Sequence, residues 1–363
     1  MANMLDYLVW RGDLSLEQAG IGPVDALILS ELSYLHFDRL VPEEPGEAPA
    51  IRELSQAFLE LPEDVQKKRV RSTKDLELLE LLGRSGRFGP LRITAAREQS
   101  DESREIQFAA IAVLLGKGDA FTAFRGTDNT LVGWKEDFNL SFLDTIPGQW
   151  AARDYLEKIA ERCPGTLYAG GHSKGGNLAV FAAAVCSPEV QARIRSVYNN
   201  DGPGFSGAVL EQPGYQAVLG RIQTFVPQSS VVGMLLEHEE PYTVVRSGQV
   251  GLMQHEPYSW EVLGSDFVRL KQVTQGSRLV DQTIKTWLSE LSRQEREAFV
   301  EALFELLENA DIRHLSEAAK PKNLYTILQK LGREDDKTRL MIARVLSRLV
   351  WAAAQTLWED AEE

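Results

Sequence analysis

At 363 residues, 44% of them hydrophobic, the chain is long enough to bury one large core, or one core and a smaller second domain. Its net charge of −14 argues against nucleic acid or an anionic membrane surface as the main partner and reads most simply as solubility. Two cysteines, Cys163 and Cys186, with no CxxC, no HExxH and no Cys/His cluster of zinc spacing, give a metal site no support, and no cofactor is expected. The stretch from Met1 to Tyr7 lacks the basic and long apolar regions of a secretory signal, and residues 340–358 carry Arg344 and Arg348, so a soluble cytoplasmic protein without a transmembrane segment is expected.

Residues 24–37 read as an amphipathic helix with Pro23 at its first turn, where a missing N–H costs nothing. A Pro/Glu-rich loop at 41–49 and a short helix at 53–58 follow. From Leu91 the period changes to two. Residues 91–95 and 106–115 alternate as strands, and Gly116-Lys117-Gly118-Asp119 turns the second into a third at 120–124, an antiparallel hairpin entering a sheet. Helices at 134–142 and 150–162 precede a buried strand at 166–170, an Ala-rich helix at 177–185, and strands at 194–199 and 221–226. That alternation implies an α/β sheet, parallel at its centre.

Further on the pattern is helical. Val280, Ile284, Trp287, Leu288 and Leu291 follow helical spacing, and Ser292 with Glu295 forms a capping box for a helix at 297–308. A short helix at 323–331 and a long one ending near Trp358 complete the tail. These stripes read as buried faces of a helical subdomain, with a partner-binding or membrane-surface face as the alternative. The expected division is a sheet domain at 1–265 and an all-helical C-terminal subdomain at 266–363.

Between the strand at 166–170 and its following helix lies Gly171-His172-Ser173-Lys174-Gly175-Gly176. Strand, G-x-S-x-G turn and helix make a nucleophile elbow, in which the glycines let strand and helix approach and Ser173 takes a strained turn conformation that aims its Oγ outward. The N–H of Lys174, at the helix start, is then a donor for a developing oxyanion. A glycine-rich structural turn is the bland alternative, since the bare motif also arises by chance.

The segment 123–127, ending in Arg125-Gly126-Thr127, together with Trp134 and Asp137 and the elbow, resembles the class 3 lipases, a branch of the α/β-hydrolases. The resemblance spans roughly residues 25 to 260 and extends to a group of uncharacterised bacterial proteins of that superfamily. It implies an α/β-hydrolase fold, and it implies that the residue after the Arg-Gly pair, here Thr127, supplies a backbone N–H and often its hydroxyl to the oxyanion. A strand-end hydroxyl capping the next turn is the structural alternative for Thr127.

A serine nucleophile needs a base and an acid to orient it. Among five histidines, His255 in Gln254-His255-Glu256-Pro257-Tyr258 resembles the H-x-x-Y segment that carries the lipase base, and His238 is the runner-up. His172, inside the elbow, is expected to point away from the base. The acid departs from the pattern, because 227–233, where class 3 lipases place an aspartate, holds Ser229 and Ser230 but no carboxylate. One strand earlier, Asp201 stands at a strand end before Gly202-Pro203-Gly204, so it is either the acid or the cap of its own turn. Ser229 or Ser230 is the alternative partner of the imidazole. Lys174 either acts beside the nucleophile or is a solvated helix-start lysine.

These residues point to a serine hydrolase of carboxylic or lipid-like esters, with Ser173, His255 and Asp201 as triad and the N–H groups of Thr127 and Lys174 as oxyanion hole. The alternative is a degenerate hydrolase fold acting as a binding or scaffolding protein.

Overall fold

The computed structural model describes residues 1–278 and 292–309, apart from 38, 47, 129, 130, 141 and 142. Seven strands run in chain order across one sheet: β1 (Arg92–Asp101), β2 (Ile106–Gly116), β3 (Asp119–Phe124), β4 (Leu167–His172), β5 (Ile194–Asn200), β6 (Ile222–Pro227) and β7 (Tyr242–Val245). After the small hairpin of β8 (Val262–Leu263) and β9 (Asp266–Phe267), β10 (Arg269–Leu270) closes the far edge antiparallel to β7. The first three strands are antiparallel, and β3 to β7 are parallel. The expected hairpin is present, with Gly116 opposite Asp119 and positive φ at Gly116, Lys117 and Gly118.

Strand β2 shows how the two faces are filled. Ile111 and Val113 join the core beneath α1 (Met4–Arg11), α2 (Pro23–Leu32), α3 (Ile51–Leu59) and α5 (Thr73–Arg84), which follows α4 (Glu63–Lys68). Ala110 and Ala112 turn to the opposite face, beneath α7 (Pro147–Arg162) and α8 (Lys174–Val185). Period-two alternation on a sheet covered on both sides buries both sets, so most of the strand is buried. The short α6 (Leu131–Asn139) stands between β3 and α7.

Several elements differ from the sequence reading. The helix expected through residue 37 ends at Leu32, because the Arg125 guanidinium takes the carbonyls of Ser33 (2.5 Å) and Leu35 (3.2 Å) and draws the chain out of the helical path. Helices α1 and α5 were not expected, although each opens on a capping signal: Asn3 with Asp6, and Ser72 with Asp75. The helix expected at 134–142 starts at Leu131 and ends at Asn139. In the tail, Ser292 and Glu295 form their reciprocal cap and begin a helix at Arg293–Asn309, whose Phe304 meets Phe138 edge-on with ring centres 5.6 Å apart. The stripes expected at 280–291 and beyond 310 lie outside the described residues. Among the described residues no helix is long and apolar enough to cross a membrane.

One buried cation ties the first 25 residues to the segment that leads into β1. Arg87 is 2% exposed and forms a two-pronged pair with Asp25, both contacts 2.7 Å. Its remaining donors reach the carbonyls of Leu14, Ser15, Ala19 and Gly20. Every face of the guanidinium is therefore matched, which is what makes a buried arginine tolerable.

Candidate active site

The parallel register sets Phe124 beside Gly171, and His172 beside Asn200, so the chain leaves β3, β4 and β5 from adjacent carboxyl ends. In open α/β sheets this is the edge where ligands bind. From those three ends come Arg125-Gly126-Thr127, Ser173 and Asp201.

The elbow is built as its residue types demand. Ser173 sits at φ 58°, ψ −134°, a conformation that side chains rarely adopt. It is partly exposed while His172 and Lys174 on either side are buried. A Cβ on Gly171 would overlap the Gly175 carbonyl, and one on Gly175 would overlap the Phe124 carbonyl, so both positions have room only for hydrogen. The Ser173 N–H donates to the Asn200 carbonyl (2.9 Å), fixing the turn to the end of β5. Lys174 opens α8, and a first-turn N–H has no intrahelical acceptor.

Asp201 is fully buried, also with positive φ (52°). Its Oδ2 lies 2.6 Å from His255 Nδ1. Its Oδ1 accepts from the Ser230 hydroxyl (2.5 Å) and the Gly233 N–H (3.2 Å). The turn-cap alternative is filled by another residue, since Asn199 Oδ1 accepts the Gly202 N–H at 3.0 Å. Neither serine offered as a partner of the imidazole takes that place. Ser230 stands behind the carboxylate, and the Ser229 N–H donates to Gln254 Oε1 (2.8 Å), holding the segment that carries His255. Asn177 of α8 fastens the acid loop by donating to the carbonyls of Pro203 and Gly204.

His255 ends a 3-10 turn (Gly251–His255), with its side chain about 29% exposed. Contrary to expectation, His172 does not point away from it. The two rings lie 4.6 Å apart, and His172 Nε2 donates to the His255 carbonyl (2.9 Å). A closed circuit results: Ser173 bonds the residue before Asp201, Asp201 bonds His255, and His255 is held by the residue before Ser173. The runner-up, His238, instead pairs with buried Glu240 at 3.0 Å.

Thr127 lies just beyond β3, and its hydroxyl donates to Asp137 Oδ2. Burial pushes the Asp137 carboxyl up to about 6, against the pull of Lys174. While Asp137 is ionised the single hydroxyl proton is committed to it, and the N–H is the donor Thr127 retains. Contrary to the second expectation, Lys174 is not a solvated lysine. Its side chain is 1% exposed and donates to Glu136 Oε2 (2.7 Å), Gln107 Oε1 (2.6 Å) and the Gln107 carbonyl (3.0 Å). Burial disfavours its charge, but Glu136 and Asp137 more than offset that and hold its pKa above the ordinary lysine value. Gln107 and Glu136 escaped the sequence reading, as did Glu31 and Tyr34 at His172. These partners lie 38 to 141 residues away along the chain, and no local pattern marks them. Among the described residues no cluster of His, Cys, Asp and Glu is arranged to hold a metal ion.

An α/β sheet with its connections on both faces and a strained serine between β4 and α8 defines the α/β-hydrolase fold. Residues 82–305 match the model of the Mbeg1-like family, and the chain belongs to that family. No curated protein matches the sequence. Similar solved structures include a mutant form of MDLA from Penicillium cyclopium, at 14% identity and TM-score 0.39, covering 67% of this chain and 83% of that one. Lipase II from Rhizopus niveus (14% identity, TM-score 0.31) covers 44% of this chain and 67% of its own, and the Lip2 lipase of Yarrowia lipolytica (12%, TM-score 0.34) covers 53% and 76%.

Proposed function

We propose that the chain is a serine hydrolase acting on carboxylic or lipid-like esters. Ser173 Oγ attacks the acyl carbonyl, and His255 Nε2 takes its proton. The His255 Nδ1–H donates to Asp201 Oδ2, which fixes the tautomer and steadies the imidazolium. The N–H groups of Thr127 and Lys174 receive the oxyanion. His255 returns its proton to the leaving alcohol, and water, deprotonated by the same ring, releases the acid from Ser173.

The observation that carries the reading is the 2.6 Å contact between His255 Nδ1 and Asp201 Oδ2, fastened to a serine elbow by the Ser173 N–H on the Asn200 carbonyl and by His172 Nε2 on the His255 carbonyl. The degenerate-fold alternative rested on the missing carboxylate after β6, and a carboxylate from β5 at the imidazole removes that support. The two free, buried cysteines, Cys163 and Cys186, support a reducing compartment, and we place the protein in the cytoplasm.

A fluorophosphonate probe tests the reading, because only an activated serine reacts with it. The wild type should be labelled and Ser173→Ala should not, with turnover of p-nitrophenyl esters falling about 10⁴-fold or more. An unlabelled wild type, or a labelled mutant, overturns the proposal.

A further inference from the structure

The elbow histidine has a second buried partner that the hydrolytic scheme does not use. Glu31, on α2, is fully buried. Its Oε2 accepts from Arg71 at 2.7 Å. Its Oε1 lies 3.3 Å from His172 Nδ1 and, as a carboxylate oxygen, has no hydrogen-bond donor among the described residues.

Counting protons around His172 decides what this contact is. The His255 carbonyl at 2.9 Å is an acceptor, so Nε2 must carry a proton. In a neutral imidazole Nδ1 is then an acceptor and needs a donor. The Tyr34 hydroxyl lies 3.3 Å from Nδ1 and equally 3.3 Å from the His172 carbonyl, so its one proton serves only one of them. If Tyr34 serves the carbonyl, the donor left for Nδ1 is a protonated Glu31 Oε1. Without that proton, two buried lone pairs face each other.

We propose that Glu31 and His172 share one proton, and that this pair acts as a positioning device for the base by keeping His172 donating to the His255 carbonyl. The positioning role rests on the reading of His255 as the base; the shared proton does not. Burial raises the Glu31 carboxyl to about 8, so the proton is present at neutral pH and lost on the alkaline side. Burial also holds the His172 pKa well below the ordinary histidine value, so the proton resides on Glu31 and the ring stays neutral. The other charged and titratable groups facing the pair are accounted for. Arg71 lowers the Glu31 pKa, Glu256 and Asp75 raise it, and His255 and Arg71 disfavour a charged His172. Tyr34 and Tyr258 have their pKa values raised by burial and stay protonated. Loss of the proton frees the ring to exchange tautomers, and the His255 carbonyl loses its donor.

The test compares the wild type with Glu31→Gln and His172→Gln. The Glu31→Gln amide can donate to Nδ1 and accept from Arg71 at every pH, and the His172→Gln amide can donate to the His255 carbonyl without a titrating ring. Two readouts are taken from pH 6 to 10: the fluorophosphonate labelling rate, and the ring ¹⁵N resonances of the full-length protein. In the wild type, labelling should fall on the alkaline side with an apparent pKa near 8, by about tenfold over the next unit. The His172 nitrogens should shift over the same range. Glu31→Gln should lose both responses, and His172→Gln should lose the alkaline fall. An alkaline fall that survives in both variants overturns the positioning role, and a His172 resonance titrating alike in wild type and Glu31→Gln overturns the shared proton. A wild type that never labels while its His172 resonance titrates near pH 8 overturns the hydrolase reading and leaves the shared proton standing.

Discussion

Two of the histidine–carboxylate pairs, the one at the candidate site and the one beside β7, invite comparison. His255 faces Asp201 at 2.6 Å, and His238 faces Glu240 at 3.0 Å, each carboxylate fully buried and each accepting further hydrogen bonds. Glu240 accepts from Thr224 (2.6 Å) and Tyr215 (2.7 Å), and its pKa is lowered to about 2 by His238 and these hydroxyls, against the opposing effect of burial. As hydrogen bonds the pairs are near equals. Their surroundings separate them. The His255 side chain is about 29% exposed and its residue is bonded to the elbow, whereas His238 is 9% exposed and its Nε2 is buried without a hydrogen-bond partner among the described residues. A carboxylate orients an imidazole wherever it meets one. Which pair can do chemistry depends on what the far nitrogen faces.

The largest expected effect contrasts the two rings. If His255 is the base, as proposed, His255→Ala should lower kcat/KM for an activated ester by about 10⁴-fold or more, and His238→Ala should leave it within a few-fold. Steady-state kinetics on both variants reads this directly, and a reversed order would transfer the base to His238. Next come the carboxylates. Asp201→Asn should keep the fold and lower kcat by about 10⁴-fold, because an amide can favour the wrong tautomer and leaves imidazolium uncompensated. Glu240→Gln should leave kcat unchanged and appear in thermal denaturation as a loss of about 1–3 kcal/mol. Equal losses of rate in both would erase the distinction. The smallest effects lie one bond further out. Ser230→Ala removes a donor to Asp201 and should lower kcat several-fold. Thr224→Val removes one from Glu240 and should cost about 1 kcal/mol of stability with no change in kcat. Urea unfolding beside turnover separates the two.

The site divides sharply into what the chain announces locally and what it hides. Ser173 is legible because strand, turn and helix are contiguous, and each glycine is required by a backbone contact within or beside the motif. Asp201 is legible as a carboxylate at a strand end, though whether it caps its turn or meets His255 depends on Asn199, which takes the capping bond instead. Lys174 was misread because its burial is decided by Gln107 and Glu136, 67 and 38 residues earlier in the chain. The N-terminal helices were half seen. Apolar periodicity marks α2, while α1 and α5 are marked in the sequence only by capping pairs. No periodicity could show that Glu31 and Tyr34 close over His172, because only the packing of α2 against the assembled sheet brings them there.

Arg87 bears on where this protein can be divided. The family match begins at residue 82, so Arg87 lies inside it, while all of the acceptors that match the guanidinium, from Leu14 to Asp25, lie before it. A fragment cut at the family boundary would keep the buried cation and discard its counter-ion and four carbonyls, at a cost of about 3–5 kcal/mol for the lost pair alone. That approaches the whole stability margin of an ordinary domain. The border drawn by kinship between sequences is therefore not expected to be a border of autonomous folding, because the first 81 residues carry the acceptors on which a buried cation of the matched region depends.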